Sequence, residues 1–163
     1  MKTLKDYQDT YKLDFNISEC TSSIHYMSEQ RLDYQVYLPS IQRHLQRGFV
    51  WDINQCRNLI ESILLGRHVP HLALINLCVE SVKDKEYYQV IDGKQRLNAM
   101  LNFYSNLFTI FIDDKEYYYK DLPQDYQNAI KHFRFRYYLV NEYSKNEISD
   151  TQKINWFKYL NFA

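Results

Sequence analysis

Five consecutive residues, Asp92, Gly93, Lys94, Gln95 and Arg96, join a carboxylate, a glycine, an amide and two cations. An apolar pair, Val90 and Ile91, precedes them, and Leu97, Met100, Leu101 and Tyr104 follow at helical spacing. The pattern reads as strand, turn, helix. A helix beginning near Lys94 leaves its first backbone N–H groups unpaired, and the aligned peptide dipoles add partial positive charge at the same end. Such an end suits an anion, phosphate in particular. Gly93 permits the tight turn and a close approach of ligand. Lys94 and Arg96 add formal charge, and a guanidinium forks onto phosphate oxygens. Asp92 has three readings: it caps the helix, it orients Arg96, or it holds a divalent metal bridging to phosphates. The plainer alternative for the whole cluster is a charged helix start in which Asp92 is an ordinary N-cap.

A second cluster carries the same residue types. Gln42-Arg43 and Gln46-Arg47 repeat at four-residue spacing, shortly before Trp51. An arginine placed there reaches the anion site and the tryptophan anchors the loop; the alternative is a solvated basic loop beside a core tryptophan. His68 and His71 flank Pro70 without a third ligand nearby, a weak basis for a metal site. Cys56 and Cys78 read as core residues. The chain has no phosphate-binding loop of the GxxxxGK[ST] kind, no H-E-x-x-H and no G-x-S-x-G.

These clusters need elements to position them. Asp52-Ile53-Asn54-Gln55 has the form of a capping box, and Cys56, Leu59, Ile60, Ile63 and Leu64 form one apolar helical face ending near Gly66. Residues 71–77 and 87–91 read as strands, and Gln95 to Tyr104 as the second clear helix. Residues 107–112 read as a strand with 117–119 pairing back. A helix with Pro123 at its first position runs to about Phe133. Residues 135–143 alternate like a strand, and a last helix capped by Ser149 or Asp150 turns Ile154, Phe157 and Leu160 inward. Residues 37–51 read as an extended loop. The first 31 residues read as an arm or short helix, followed by a strand near Ile24 to Tyr26. Strands and helices in this mixed order define an α+β fold, a small mixed sheet with helices packed on it.

At 163 residues the chain is one domain with, at most, a short extension. Lys+Arg and Asp+Glu are both 20, and zero net charge argues against a protein built chiefly to grip duplex DNA. Three cysteines without metal-ligand spacing read as reduced thiols of a cytoplasmic protein. The charged start is no signal peptide, and no apolar run approaches the roughly 20 residues of a membrane span.

The two clusters together resemble a known family. The stretch from Leu45 to Ile75 followed by that from Tyr88 to Ile110 is similar to the DGQQR-motif domain, the N-terminal domain of GmrSD-type modification-dependent restriction enzymes and related phage-defence proteins, in the ParB/sulfiredoxin-like superfamily. Gln46, Arg47 and Trp51 match the first part of its pattern. Asp92, Gly93, Gln95 and Arg96 match the second, with Lys94 where Gln is usual. Residues 150–163 resemble a later segment of the family, which a Gly-Thr normally follows. The chain ends just before it, at an apolar helix end, which raises the expectation of a cut or missing tail. The resemblance spans residues 32–163, taken as the domain, with 1–31 as the arm. It implies a ParB-like α+β fold that binds a nucleoside triphosphate with Mg²⁺ and, in several members, hydrolyses it. Arg47, Gln46, Gly93, Lys94, Gln95 and Arg96 would bind nucleotide, while Asp92 and Arg96 would act in turnover, Asp92 also toward metal. Family enzymes carry a C-terminal HNH nuclease domain, for which 163 residues leave no room. The expected role is therefore a switch or sensor in a restriction, phage or mobile-element system, with DNA or a separate effector polypeptide as partner. The alternatives are a non-catalytic binding module and, further off, a ParB-like nuclease.

Overall fold

Leu72 to Leu77 is buried at all six positions, as expected of a strand covered on both faces. In the computed structural model, which describes residues 1–11, 13, 15–46, 48–82 and 84–161, this segment is the central strand of a five-stranded sheet. The strands are β1 (Ser18–Ser23), β2 (Arg31–Asp33), β3 (Tyr37–Leu38), β4 (Arg43–His44), β5 (Leu72–Leu77), β6 (Tyr87–Asp92), β7 (Ile110–Ile112), β8 (Lys115–Tyr117) and β9 (Arg134–Glu142). The helices are α1 (Leu4–Tyr11), α2 (Ile24–Ser28), α3 (Ile53–Leu64), α4 (Lys94–Tyr104), α5 (Gln124–Lys131) and α6 (Asp150–Asn161). The main sheet has the order β1-β9-β5-β6-β2, in which β9–β5 and β2–β6 are parallel and β1–β9 and β5–β6 antiparallel. The fold is α+β.

The pleat sends alternate residues of each strand into two separate cores. Leu72, Leu74, Tyr88, Val90, Phe135 and Tyr137 meet Ile24, Met27, Leu59, Ile60, Ile63, Leu97, Met100, Phe103 and Ile130 from α2 to α5. Ala73, Ile75, Leu77, Ile91 and Val140 meet Val36, Leu38, Ile148 and Trp156 on the other face. α3 begins where its sequence says: Asp52 accepts from the Gln55 amide at 2.9 Å, and the Gln55 side chain accepts from the Asp52 N–H at 2.9 Å. Gly66, at φ 70°, follows the C-cap Leu65.

Several expectations are corrected. Ile24 to Tyr26 is not a strand; Ser23 caps α2 there, and the strand is the preceding β1. Ser22 and Ser23 carry too little apolar signal to mark an edge strand, yet β1 pairs with β9 along its whole length, so residues 18–28 pack in the same unit as the rest. Residues 37–51 are not extended throughout: β3 and β4 form a short hairpin, turned through Gln42 at φ 52°. The strand expected over 107–112 begins only at Ile110, its partner runs 115–117, and Pro123 is the N-cap of α5 rather than its first residue. In α6 the most buried residue is Trp156, at 1% exposure and edge-on to Phe15, while Ile154, Phe157 and Leu160 lie half-buried around it.

Candidate functional site: the strand-turn-helix tip

β6 and β5 are in register at Leu74–Val90 but shift by one residue at Ala73–Asp92, which leaves Ile91 as an extra residue at the strand end. A bulge of this kind re-aims the side chains that follow. Gly93 then takes φ 90° and is the N-cap of α4. A Cβ at Gly93 would lie 1.9 Å from Leu72 Cδ2, so packing against β5 and the left-handed backbone both demand glycine, whatever binds nearby.

Of the three readings of Asp92, the structure realises the second. No side chain caps α4 through Gly93, so Asp92 is not the N-cap. Its Oδ2 stands 3.5 Å from Arg96 Nη2. The same Nη2 donates to the His71 carbonyl at 3.0 Å. Arg96 Nε is buried and has no partner. Burial pushes the Arg96 guanidinium below its ordinary pKa, and the Asp92 carboxylate pulls it back up. The first intrahelical bond runs from Leu97 N–H to Gly93 O, and the N–H groups of Gln95 and Arg96 have no partner among the described residues. Two amides therefore lack partners at this helix end, and the Arg96 Nε–H is buried without one.

The two Gln-containing motifs find each other. Gln46 Nε2 donates to Val90 O at 2.8 Å and also to Ile91 O, gripping the end of β6. Gln95 Oε1 accepts from the Val50 N–H at 3.1 Å and the Trp51 N–H at 3.3 Å, and its Nε2 donates to Gly48 O. Lys94 is 6% exposed, with Nζ 4.4 Å from the Phe49 ring centroid, and Tyr34 packs edge-on to the same ring. Burial lowers the Lys94 pKa and the Asp33 carboxylate opposes that shift. Residues 48–51 are thus sewn over the start of α4. Arg47 lies outside the described residues. Gln95→Ala should lower stability by about 1–2 kcal/mol through three lost hydrogen bonds, and should speed limited proteolysis at 48–51 several-fold with α4 intact by circular dichroism. Unchanged melting and cleavage would remove the staple from this account.

Two cavities lie elsewhere. One of about 840 Å³ borders Phe15, Asn141, Ile148 and Gln152, and one of about 500 Å³ lies between α3 and β7, bordered by Arg57, Glu61 and Phe111. The turn lines neither. Among the described residues no group of three His, Cys, Asp or Glu side chains is placed to hold a metal ion. His71, weighed above only as half of a weak metal pair, has partners of its own: its Nε2 is 2.9 Å from Glu19 Oε1, and its ring stacks on Tyr138 with centroids 4.9 Å apart. Glu19 and Tyr138 face each other across β1 and β9, a proximity that no local pattern announces.

The fold and the tip define an α+β domain whose conspicuous chemistry is a glycine turn feeding a positively charged helix start. The sequence profile of the family described as GmrSD restriction endonuclease, N-terminal domain, matches residues 25–162. The chain belongs to this family, which sets it among restriction-system proteins. No curated protein and no solved structure matches the chain. Among the described residues, no helix is long and apolar enough to cross a membrane.

Proposed function

We propose that the tip of α4 binds the phosphates of a nucleoside triphosphate and that the domain hydrolyses it slowly, as a switch or sensor in a restriction, phage or mobile-element system. The observation that carries this reading is the pair of unpartnered N–H groups at Gln95 and Arg96 beside the buried, unpartnered Nε of Arg96. Groups of this kind, held apart from protein acceptors, suit an anion arriving from solution. In this reading Arg96 takes phosphate oxygens while Asp92 and the His71 carbonyl hold its fork. Gly93 makes the turn, Lys94 adds charge, and Gln46 and Gln95 fasten the loop that carries Arg47, the second phosphate-binding arginine implied by the motif. Asp92 is the carboxylate of the turn itself, and a Mg²⁺ would be held chiefly by the nucleotide it accompanies and would supply charge neutralisation there. Positioning and charge stabilisation suffice for phosphoryl transfer, so few residues are needed.

The test is direct. Purified protein with Mg²⁺ and each NTP in turn should bind one or more of them and release inorganic phosphate, and Asp92→Ala should abolish release. A second reading, a binding module without turnover aimed at DNA or a protein effector, is favoured by one feature: Gln46 and Gln95, both in the motif, are spent on the fold itself. Binding without any phosphate release selects it. Absence of nucleotide binding under all conditions removes the first reading.

A further inference from the structure

Neighbouring apolar side chains held in water beside a polar site mark a binding surface. Phe49 is 51% exposed and Val50 69%. Neither is left there by a slack chain. The Gln95 side chain accepts from the N–H groups of Val50 and Trp51 and donates to Gly48 O, so it holds the backbone on both sides of Phe49. The ring itself is held by Lys94 Nζ, 4.4 Å from its centroid, and by Tyr34, edge-on at 5.4 Å. An aromatic ring fixed in this way and still half in water is a preformed surface.

The residues that fasten it are those of the anion site. Lys94 is the first residue of α4, and Gln95 carries one of the two unpartnered N–H groups at the tip. The open amide and the loop that bears the ring are therefore one glutamine side chain and one hydrogen bond apart. A ribose separates the phosphate and the base of a nucleotide on a similar scale. Phosphate calls for N–H donors and positive charge, and a nucleobase calls for a flat apolar face. The α4 tip and the Phe49 loop set these two surfaces side by side. The Lys94 ammonium over the ring adds a cation–π contact that fixes its orientation before a base arrives.

We propose that the exposed ring of Phe49, flanked by Val50, is the stacking platform for the base of the nucleoside triphosphate whose phosphates rest on the α4 tip. The inference deepens the nucleotide reading above and rests on it. Every base has a π-face, and a ring reads no base edge. The platform should therefore accept all four NTPs, with affinities within about tenfold of one another.

The experiment measures, by calorimetry with Mg²⁺ on the full chain, the affinity for each NTP and for inorganic tripolyphosphate, which carries the phosphates without a base. Phe49→Ala should weaken NTP binding about 5- to 150-fold, the loss of one base–aromatic stack, and should leave the tripolyphosphate Kd within about twofold. Phe49→Leu keeps apolar bulk without the π-face and should fall between alanine and wild type. Phe49→Trp should hold NTP as tightly as wild type, and NTP should quench its fluorescence, beyond the wild-type signal, where tripolyphosphate does not. That quench is a readout that a merely structural ring would not give, and it carries the test should Phe49→Ala loosen the loop. Equal weakening of both ligands in Phe49→Ala, with no base-dependent quench in Phe49→Trp, overturns the proposal and leaves the phosphate site standing. Unchanged NTP affinity in Phe49→Ala does the same. Wild-type protein that binds tripolyphosphate as tightly as any NTP has no base platform. Absence of binding by either ligand ends both the proposal and the nucleotide reading.

Discussion

Gly93→Ala should destabilise the protein by about 3 kcal/mol, the sum of left-handed backbone strain of about 1–2 kcal/mol and overpacking of about 1–3 kcal/mol. The new methyl group would lie 1.9 Å from Leu72 Cδ2, and Leu72 is 1% exposed with little room to retreat. For a chain of this size the melting temperature should fall about 6–12 °C. Leu72→Ala alone leaves a cavity and costs about 2–5 kcal/mol. Because the two residues occupy the same space, the double variant should be at least about 1 kcal/mol more stable than the sum of the singles predicts. Urea denaturation of the three proteins checks this. A Gly93→Ala loss under about 1 kcal/mol, or strict additivity, would mean the turn relaxes without strain.

Arg96→Ala should reduce the efficiency of NTP turnover about 1,000-fold, in line with arginines that stabilise phosphoryl transfer. It removes the forked donor, and it leaves Asp92, itself three-quarters buried, as an uncompensated carboxylate facing the phosphate. Formal charge over residues 92–96 thereby drops from +1 to zero. Arg96→Lys retains the charge as a point and loses the fork, so it should fall between wild type and alanine, within about tenfold of wild type in Kd. The melting temperature should fall as well, because the substitution leaves the largely buried Asp92 carboxylate unpaired and takes the donor from the His71 carbonyl. Equal affinity for NTP in wild type and Arg96→Ala would place the nucleotide elsewhere or nowhere. This experiment separates cleanly from Gly93→Ala: the glycine is predicted to govern folding, the arginine binding.

The parts of this protein visible in its sequence are those whose cause is local. α3 announces itself because Asp52 and Gln55 cap one another within one turn and the apolar residues recur at helical spacing. α4 is visible from its apolar spacing, and the turn that feeds it from Gly93. β5 shows as an apolar run because both its faces are covered. The misses have long-range causes. β1 is a polar edge strand whose existence depends on β9, over 100 residues away in the chain. Ile154, Phe157 and Leu160 pack against the second core as their spacing predicts, but Trp156 goes deepest, into the cluster of Val36 and Leu38 with Phe15 edge-on. Asp92 could have capped α4, but the bulge and Gly93 turn it toward Arg96 instead.

The same division holds at the candidate site. Residue types and spacing were enough to single out Gln46, Gly93, Lys94, Gln95 and Arg96 and to join them to the restriction family, since capping, turn geometry and charge act within a few residues. What each polar atom does was decided only by folding. Gln95 reaches residues 48–51, 44 to 47 positions upstream in the chain, and Glu19 reaches His71 across 52. Hydrogen bonds form between whatever groups the sheet order brings within about 3 Å, and sheet order is set by the burial of apolar faces, not by the polar residues that later pair across it.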